Sequence, residues 1–249
     1  VPCRHQRRGR ALDAGAIAAA LSGPPEQAAA FIRTAAEAGV AEARLMLGQI
    51  LLDGRGVPAD PAQALNWFAA AARQGHVMAM NMVGRCYDNG WGVDADPARA
   101  AQWYRAAADR GLDWGRYNLA TLLTLGRGVA EDREEALALF RRAAEQGHAK
   151  SINMVGSFYE DGWVVERDPA LAAEQYRRAA EGGDFRGMFN HARMLIEQGT
   201  PDQATAWLTQ LPEAATPAFL EKARQWLEGR PEEGLRDLAA SWGAPQAGD

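Results

Sequence analysis

Four stretches of 36 residues follow one another without a gap and share one pattern, beginning at Ala41, Val77, Asp113 and Ala149. The likeness is plainest between alternate copies. NMVGRCYDNGWGV (81–93) and NMVGSFYEDGWVV (153–165) agree at 8 of 13 positions, 72 residues apart. A fifth copy starts at Phe185 and is shortened in its loop. A fixed period of this length means a unit that cannot bury its apolar face alone and does so against its neighbours.

Each column of the repeat has a mechanical reading. The first half predicts a helix of about 13 residues, with apolar side chains on one stripe. Its eighth position is small: Gly48, Gly84, Ala120, Gly156 and Ala192. Glycine weakens a helix, so its use here predicts another helix passing close by. A loop follows, Gly54-Arg55-Gly56-Val57 in the first copy, whose first Gly ends the helix in the left-handed conformation. Next come Asp60, Asp96, Asp132 and Asp168, three of them before Pro, a helix-start signal. The second helix carries Trp67-Phe68, Trp103-Tyr104, Leu139-Phe140 or Gln175-Tyr176, then paired alanines, and closes on Gly75, Gly111, Gly147 or Gly183.

This pattern resembles the Sel-one-like repeat family, a relative of the tetratricopeptide repeat. The motifs that carry the likeness are YNLATLL (117–123), GRGV (54–57 and 126–129), the Asp cap, and ALNWFAAAARQGH (64–76) with its counterparts. The resemblance covers residues 41–211. It implies an all-α protein, a right-handed superhelical solenoid of helix-loop-helix repeats. Val164 departs from the pattern where the loop has its second Gly, and the fifth copy lacks the GxGV loop. Residues 11–40 read as an N-terminal helical cap or partial repeat and 212–242 as C-terminal capping helices, since an open solenoid end exposes apolar surface. Residues 1–10 and 243–249 read as tails.

Composition narrows the function classes. The net charge of −5 argues against a nucleic-acid binder with a broad basic face. No run of 18 apolar residues exists, so no membrane span is expected. Cys3 and Cys86 do not make a disulfide framework, and a cytoplasmic location fits better. The arginine-rich start before ALDAGAIAAAL also loosely mimics an export signal, which leaves a periplasmic alternative. Asp13 and the alanine content favour an amphipathic helix instead.

Enzyme motifs are absent: no GxSxG, no GxxxxGK[ST], no HExxH, no CxxC. The Gly-rich loops recur once per repeat and lack the Lys and Ser/Thr of a phosphate cradle. His76 and His148 share a turn position two periods apart, too far to hold one metal. Cys86 stands in an apolar column and reads as a core residue. No catalytic residue, metal or cofactor is expected, and the chain reads as a monomer. The expected activity is non-catalytic: an adaptor or scaffold binding a protein or peptide, with an exported envelope-assembly or cell-wall-associated repeat protein as the alternative and a hydrolase as the less favoured one.

By the tetratricopeptide resemblance, the first helices line a concave surface. Repeat positions 2, 5, 6, 9, 12 and 13 fall off the apolar stripe and supply the candidates. The strongest are Asn81, Arg85, Trp114, Tyr117, Asn118, Lys150, Asn153, Phe189, Asn190 and Arg193. Asn donates and accepts at once, which suits an extended peptide backbone, and aromatic and Arg side chains anchor interfaces. Lys150, Arg186 and Arg193 could hold a carboxylate. The alternation of Trp91 and Trp163 with Arg55 and Arg127 has two readings, duplication of a two-repeat unit or recognition.

Overall fold

The computed structural model describes residues 23–242, which are helices joined by turns and short loops, with no strand among the described residues. The expected tails and the first half of the N-terminal cap lie outside them. Among the described residues, one cap helix, α1 (Pro25–Glu37), precedes the repeats. Then come the pairs α2 (Ala41–Asp53) and α3 (Pro61–Arg73), α4 (Val77–Asn89) and α5 (Pro97–Ala108), α6 (Asp113–Leu125) and α7 (Arg133–Glu145), and α8 (Ala149–Asp161) and α9 (Pro169–Glu181). The shortened copy is α10 (Phe185–Glu197) with α11 (Pro201–Leu208). The described residues end on α12 (Leu211–Ala214), α13 (Pro217–Glu228) and α14 (Glu233–Ser241).

Local chemistry sets these boundaries. The caps Asp60, Asp96, Asp132 and Asp168 accept from the backbone N–H three residues on, at 2.8–3.0 Å. Each also donates its own N–H back to the preceding helix, as Asp60 does to Leu51 O at 2.8 Å. Both groups that would otherwise be orphaned at the loop are thereby satisfied.

The small eighth position is a close approach of ring to backbone. A Cβ on Gly48 would lie 2.5 Å from the Phe68 ring, on Gly84 2.6 Å from Tyr104, and on Gly156 2.7 Å from Tyr176. The ring belongs to the second helix of the same repeat, so this column locks each hairpin. The loop's second Gly has a different task. Gly56 and Gly92 combine positive φ with a Cβ site 2.2–2.3 Å from the backbone that starts the preceding second helix. Val164 keeps the same left-handed backbone, φ 52°, with a branched side chain that is 49% exposed.

The described residues divide into two compact units, 23–115 with 127–129, and 116–126 with 130–242. The first is built on Leu47, Leu51, Phe68, Val83 and the buried thiol of Cys86. Burial pushes that thiol up to about 11, so it is an inert core group. In the second unit, edge-on ring contacts run from Phe140 to Phe158 (6.0 Å) and on to Trp163 (5.4 Å). Its C-terminal end is sealed by Leu208, Leu211, Leu227 and Leu235.

Candidate functional site

The ten candidate side chains come from the first helices α4, α6, α8 and α10, and they separate by burial. Asn81 and Asn153 are 3% and 4% exposed, so these two position-5 side chains lie on the packed side and not off it. Met82, at position 6, is buried as well. For Asn153 the reason is visible. Its Oδ1 accepts from Asn190 Nδ2 at 2.9 Å, which bonds the first helix α8 to the next first helix, α10. A buried amide needs such a partner, and this pair supplies it.

Arg193 is engaged too. One guanidinium nitrogen donates to both Glu160 oxygens at 2.6 Å, and another donates to Glu197 at 3.1 Å. The Tyr176 hydroxyl donates to the same Glu160 at 2.7 Å. Burial pushes the Glu160 carboxyl up, but these donors outweigh it and hold it below the usual range. An equivalent cluster stands in the first unit, where Tyr104 donates to Asp88 at 3.2 Å and Arg127 pairs with the same carboxylate. Sequence reasoning missed this device, although its signal is periodic. Position 28 alternates Phe68, Tyr104, Phe140, Tyr176, while position 12 alternates Leu52, Asp88, Thr124, Glu160. Wherever the ring carries a hydroxyl, the helix facing it carries a carboxylate.

The aromatic alternation at the loops is also occupied internally. Arg85 lies 4.9 Å over the Trp91 ring, and Arg133 lies 4.7 Å over that of Trp163. Arg55 bonds Asp53 in its own repeat, while Arg127 reaches the preceding one. Phe189 meets Phe219 and Trp226 edge-on at 5.6 and 5.2 Å, against the cap helix α13.

What stays accessible differs from the polar grip expected. Trp114 is 39% exposed, and Tyr117, Asn118 and Lys150 are half-buried. Tyr117 lies 5.3 Å from the His148 ring and 5.9 Å from Phe140. Nearby, Asp184 is 4% exposed and caps α10 through Gly187 N–H at 2.9 Å. Burial raises its carboxyl, against the pull of Arg186 and Lys150. The second unit therefore brings Tyr117 of α6 together with Lys150, Asp184 and Arg186 at the starts of α8 and α10. Such a surface offers ring faces and cations. No group of three or more metal-ligating side chains occurs among the described residues.

The Sel1 repeat model matches residues 41–76, 77–112, 115–148 and 149–184. The chain belongs to the Sel1 repeat family. The matched segments coincide with the four full helix pairs. A solved Sel1 repeat protein from Oxalobacter formigenes is similar over 89% of this chain and 96% of its own, with a TM-score of 0.75 at 23% identity. The uropathogenic Escherichia coli protein c5321, described as a protective antigen with an SLR fold, is 30% identical with a TM-score of 0.67. That match covers 88% of this chain but 48% of the E. coli one, so this chain spans about half its length. No curated protein matches. As a Sel1 repeat protein, the chain is a helical solenoid of the kind that serves as a repeat scaffold. No described helix is long and apolar enough to cross a membrane.

Proposed function

We propose that this Sel1 repeat protein is a non-catalytic adaptor that holds a partner protein or peptide on the concave face lined by its first helices. The observation that carries the reading is Trp114, a large indole left 39% exposed on the first helix of the third repeat. Trp is usually well buried and is over-represented among interface anchors. In the second unit, Tyr117, Lys150 and Arg186 offer aromatic surface for apolar contact and cations for acidic groups on a partner. Arg193 and the Asn153–Asn190 pair act beneath that surface by fixing one first helix against the next.

Affinity capture with the wild type and with Trp114→Ala/Lys150→Ala tests it. The double variant should lose the captured partner at least about tenfold, as expected for an anchor contributing more than 1 kcal/mol. Its helical circular dichroism should stay unchanged. Equal capture by both proteins would move the site off this face. We place the protein in the cytoplasm, in keeping with the free, buried thiol of Cys86. Recovery from the periplasm on fractionation would overturn that.

A further inference from the structure

The column that carries Trp67 and Trp103 in the first two repeats carries Gln175 in the fourth. In the second repeat Trp103 is a plug. Like Ala69, Tyr87 and Ala106, it is partly buried against the core that contains Ala72 and Val83. The equivalent place in the fourth repeat has lost the plug and both of its small neighbours. Gln175 stands for the Trp, Arg141 for Ala69, and Arg178 for Ala106, while Tyr159, Ala144 and Val155 keep the floor. The result is an open cleft of about 220 Å³ between α7 and the α8–α9 pair.

Its size and lining narrow what fits. About 150 Å³ already suffices for a benzene ring, whereas drug-sized ligands occupy roughly 300 Å³ or more. One aromatic side chain is therefore the matching guest. Arg141 donates to the Tyr159 hydroxyl at 2.6 Å, and Arg178 donates to Gln175 Oε1 at 3.0 Å. Neither guanidinium is within ion-pair distance of a carboxylate among the described residues; Glu145 also lines the cleft, so two cations stand there against one carboxylate and both arginines keep donors for an anion. We infer that the cleft lined by Arg141, Gln175 and Arg178 is a binding site for an aromatic residue of a partner peptide that lies beside an acidic residue. The aromatic ring takes the place that Trp103 fills in the second repeat, and the flanking carboxylate pairs with the arginines. This site lies apart from the first-helix face and does not depend on it.

The probe is the blocked tetrapeptide Ac-Ala-Trp-Asp-Ala-NH2, titrated into ¹⁵N-labelled protein and followed by amide shifts. Saturating shifts at residues 141–145, 155–159 and 171–178 are expected, with Kd on the order of 1 mM for so small a ligand. Replacing the peptide's Asp by Asn should weaken binding roughly fivefold or more, and replacing its Trp by Ala should abolish it. Gln175→Trp closes the cleft from within and should abolish the shifts in a protein that melts no lower than wild type. Gln175→Leu, which copies Leu139 of the third repeat, gives the same block with a smaller plug. Shifts that persist in either folded variant, that map elsewhere, or that fail to saturate would overturn the site.

Discussion

The glycine at repeat position 8 and the asparagine at position 5 sit three residues apart on the same helix, and they show what a single column can tell. Gly84 and Gly156 face rings at 2.6 and 2.7 Å from where a Cβ would stand. Gly84→Leu or Gly156→Leu should therefore destabilise by roughly 1–3 kcal/mol through overpacking, seen as a lower melting temperature. Unchanged melting would mean that the ring swings away at no cost. That close approach was legible in the sequence because glycine inside a helix has few other physical reasons. The burial of Asn153 was not, because a polar residue beside an apolar stripe looks alike whether it meets water or Asn190. Only the neighbouring repeat decides, and its offset is a packing outcome. Val164 holds a left-handed backbone that costs a branched residue on the order of 1–3 kcal/mol. Val164→Gly should raise stability by about 0.5–2 kcal/mol after the entropy of the added glycine is subtracted, read as an increase in melting temperature. His191 gives a pH signature. Burial, aided by Arg177, lowers its pKa below the ordinary 6.5, and its Nδ1 is buried with no partner among the described residues. The neutral form is thus the one that fits. Its contribution is fully present above pH 6.5 and is lost as pH falls through the lower folded value. His191→Phe keeps a ring against Trp207, 5.5 Å away in the wild type, and should flatten the fall in urea stability below pH 6.5.

At the scale of the helix pair, two kinds of repeat alternate. Phe68 and Phe140 lie fully buried, whereas Tyr104 and Tyr176 bring hydroxyls that must be satisfied. Asp88 and Glu160 accept from those hydroxyls, and Arg127 and Arg193 complete the two clusters from the repeat that follows. The 72-residue identity of the NMVG stretches follows the same alternation, which supports duplication of a two-repeat unit. The Trp91 and Trp163 rings, stacked under Arg85 and Arg133, join that architecture. Each helix pair was readable from caps, loop glycines and the apolar stripe, because those signals are local. The carboxylate clusters were not, because their members lie 16 and 33 residues apart and meet only in the fold. The exchange Tyr176→Phe removes donor and hydroxyl together and imitates Phe140, so its cost should stay near 1 kcal/mol. Glu160→Leu leaves the Tyr176 hydroxyl and the Arg193 guanidinium without their shared acceptor and should cost more, about 1–3 kcal/mol. If the two variants melt alike, the cluster does not bind one repeat to the next.

At the scale of the whole molecule, a repeat stack stays soluble only where its terminal units present a polar outer face. The C-terminal unit closes on α13 and α14, whose Leu227 and Leu235 are 0% and 2% exposed against Leu208 and Leu211. Phe219 and Trp226 of α13 also cover Phe185 and Phe189 of the last repeat. The expectation of capping helices over 212–242 rests on the apolar surface that an open solenoid end exposes; α13 and α14 carry exposed Glu221, Glu228 and Glu233 outside their apolar stripes. Truncation before Pro217 removes two fully buried leucines, worth about 1.5–3 kcal/mol each, and uncovers the ring cluster beneath. The shortened protein should melt well below the full chain and should self-associate in a concentration-dependent way by light scattering, since the bared patch resembles the face that another repeat would cover. Restoring polarity with Phe185→Lys and Phe189→Glu in the truncated chain should return it to a monodisperse state without restoring the melting temperature. A truncated chain that stays monodisperse and melts with the full one would show that the repeats close on themselves and that α13 and α14 are appended, not sealing.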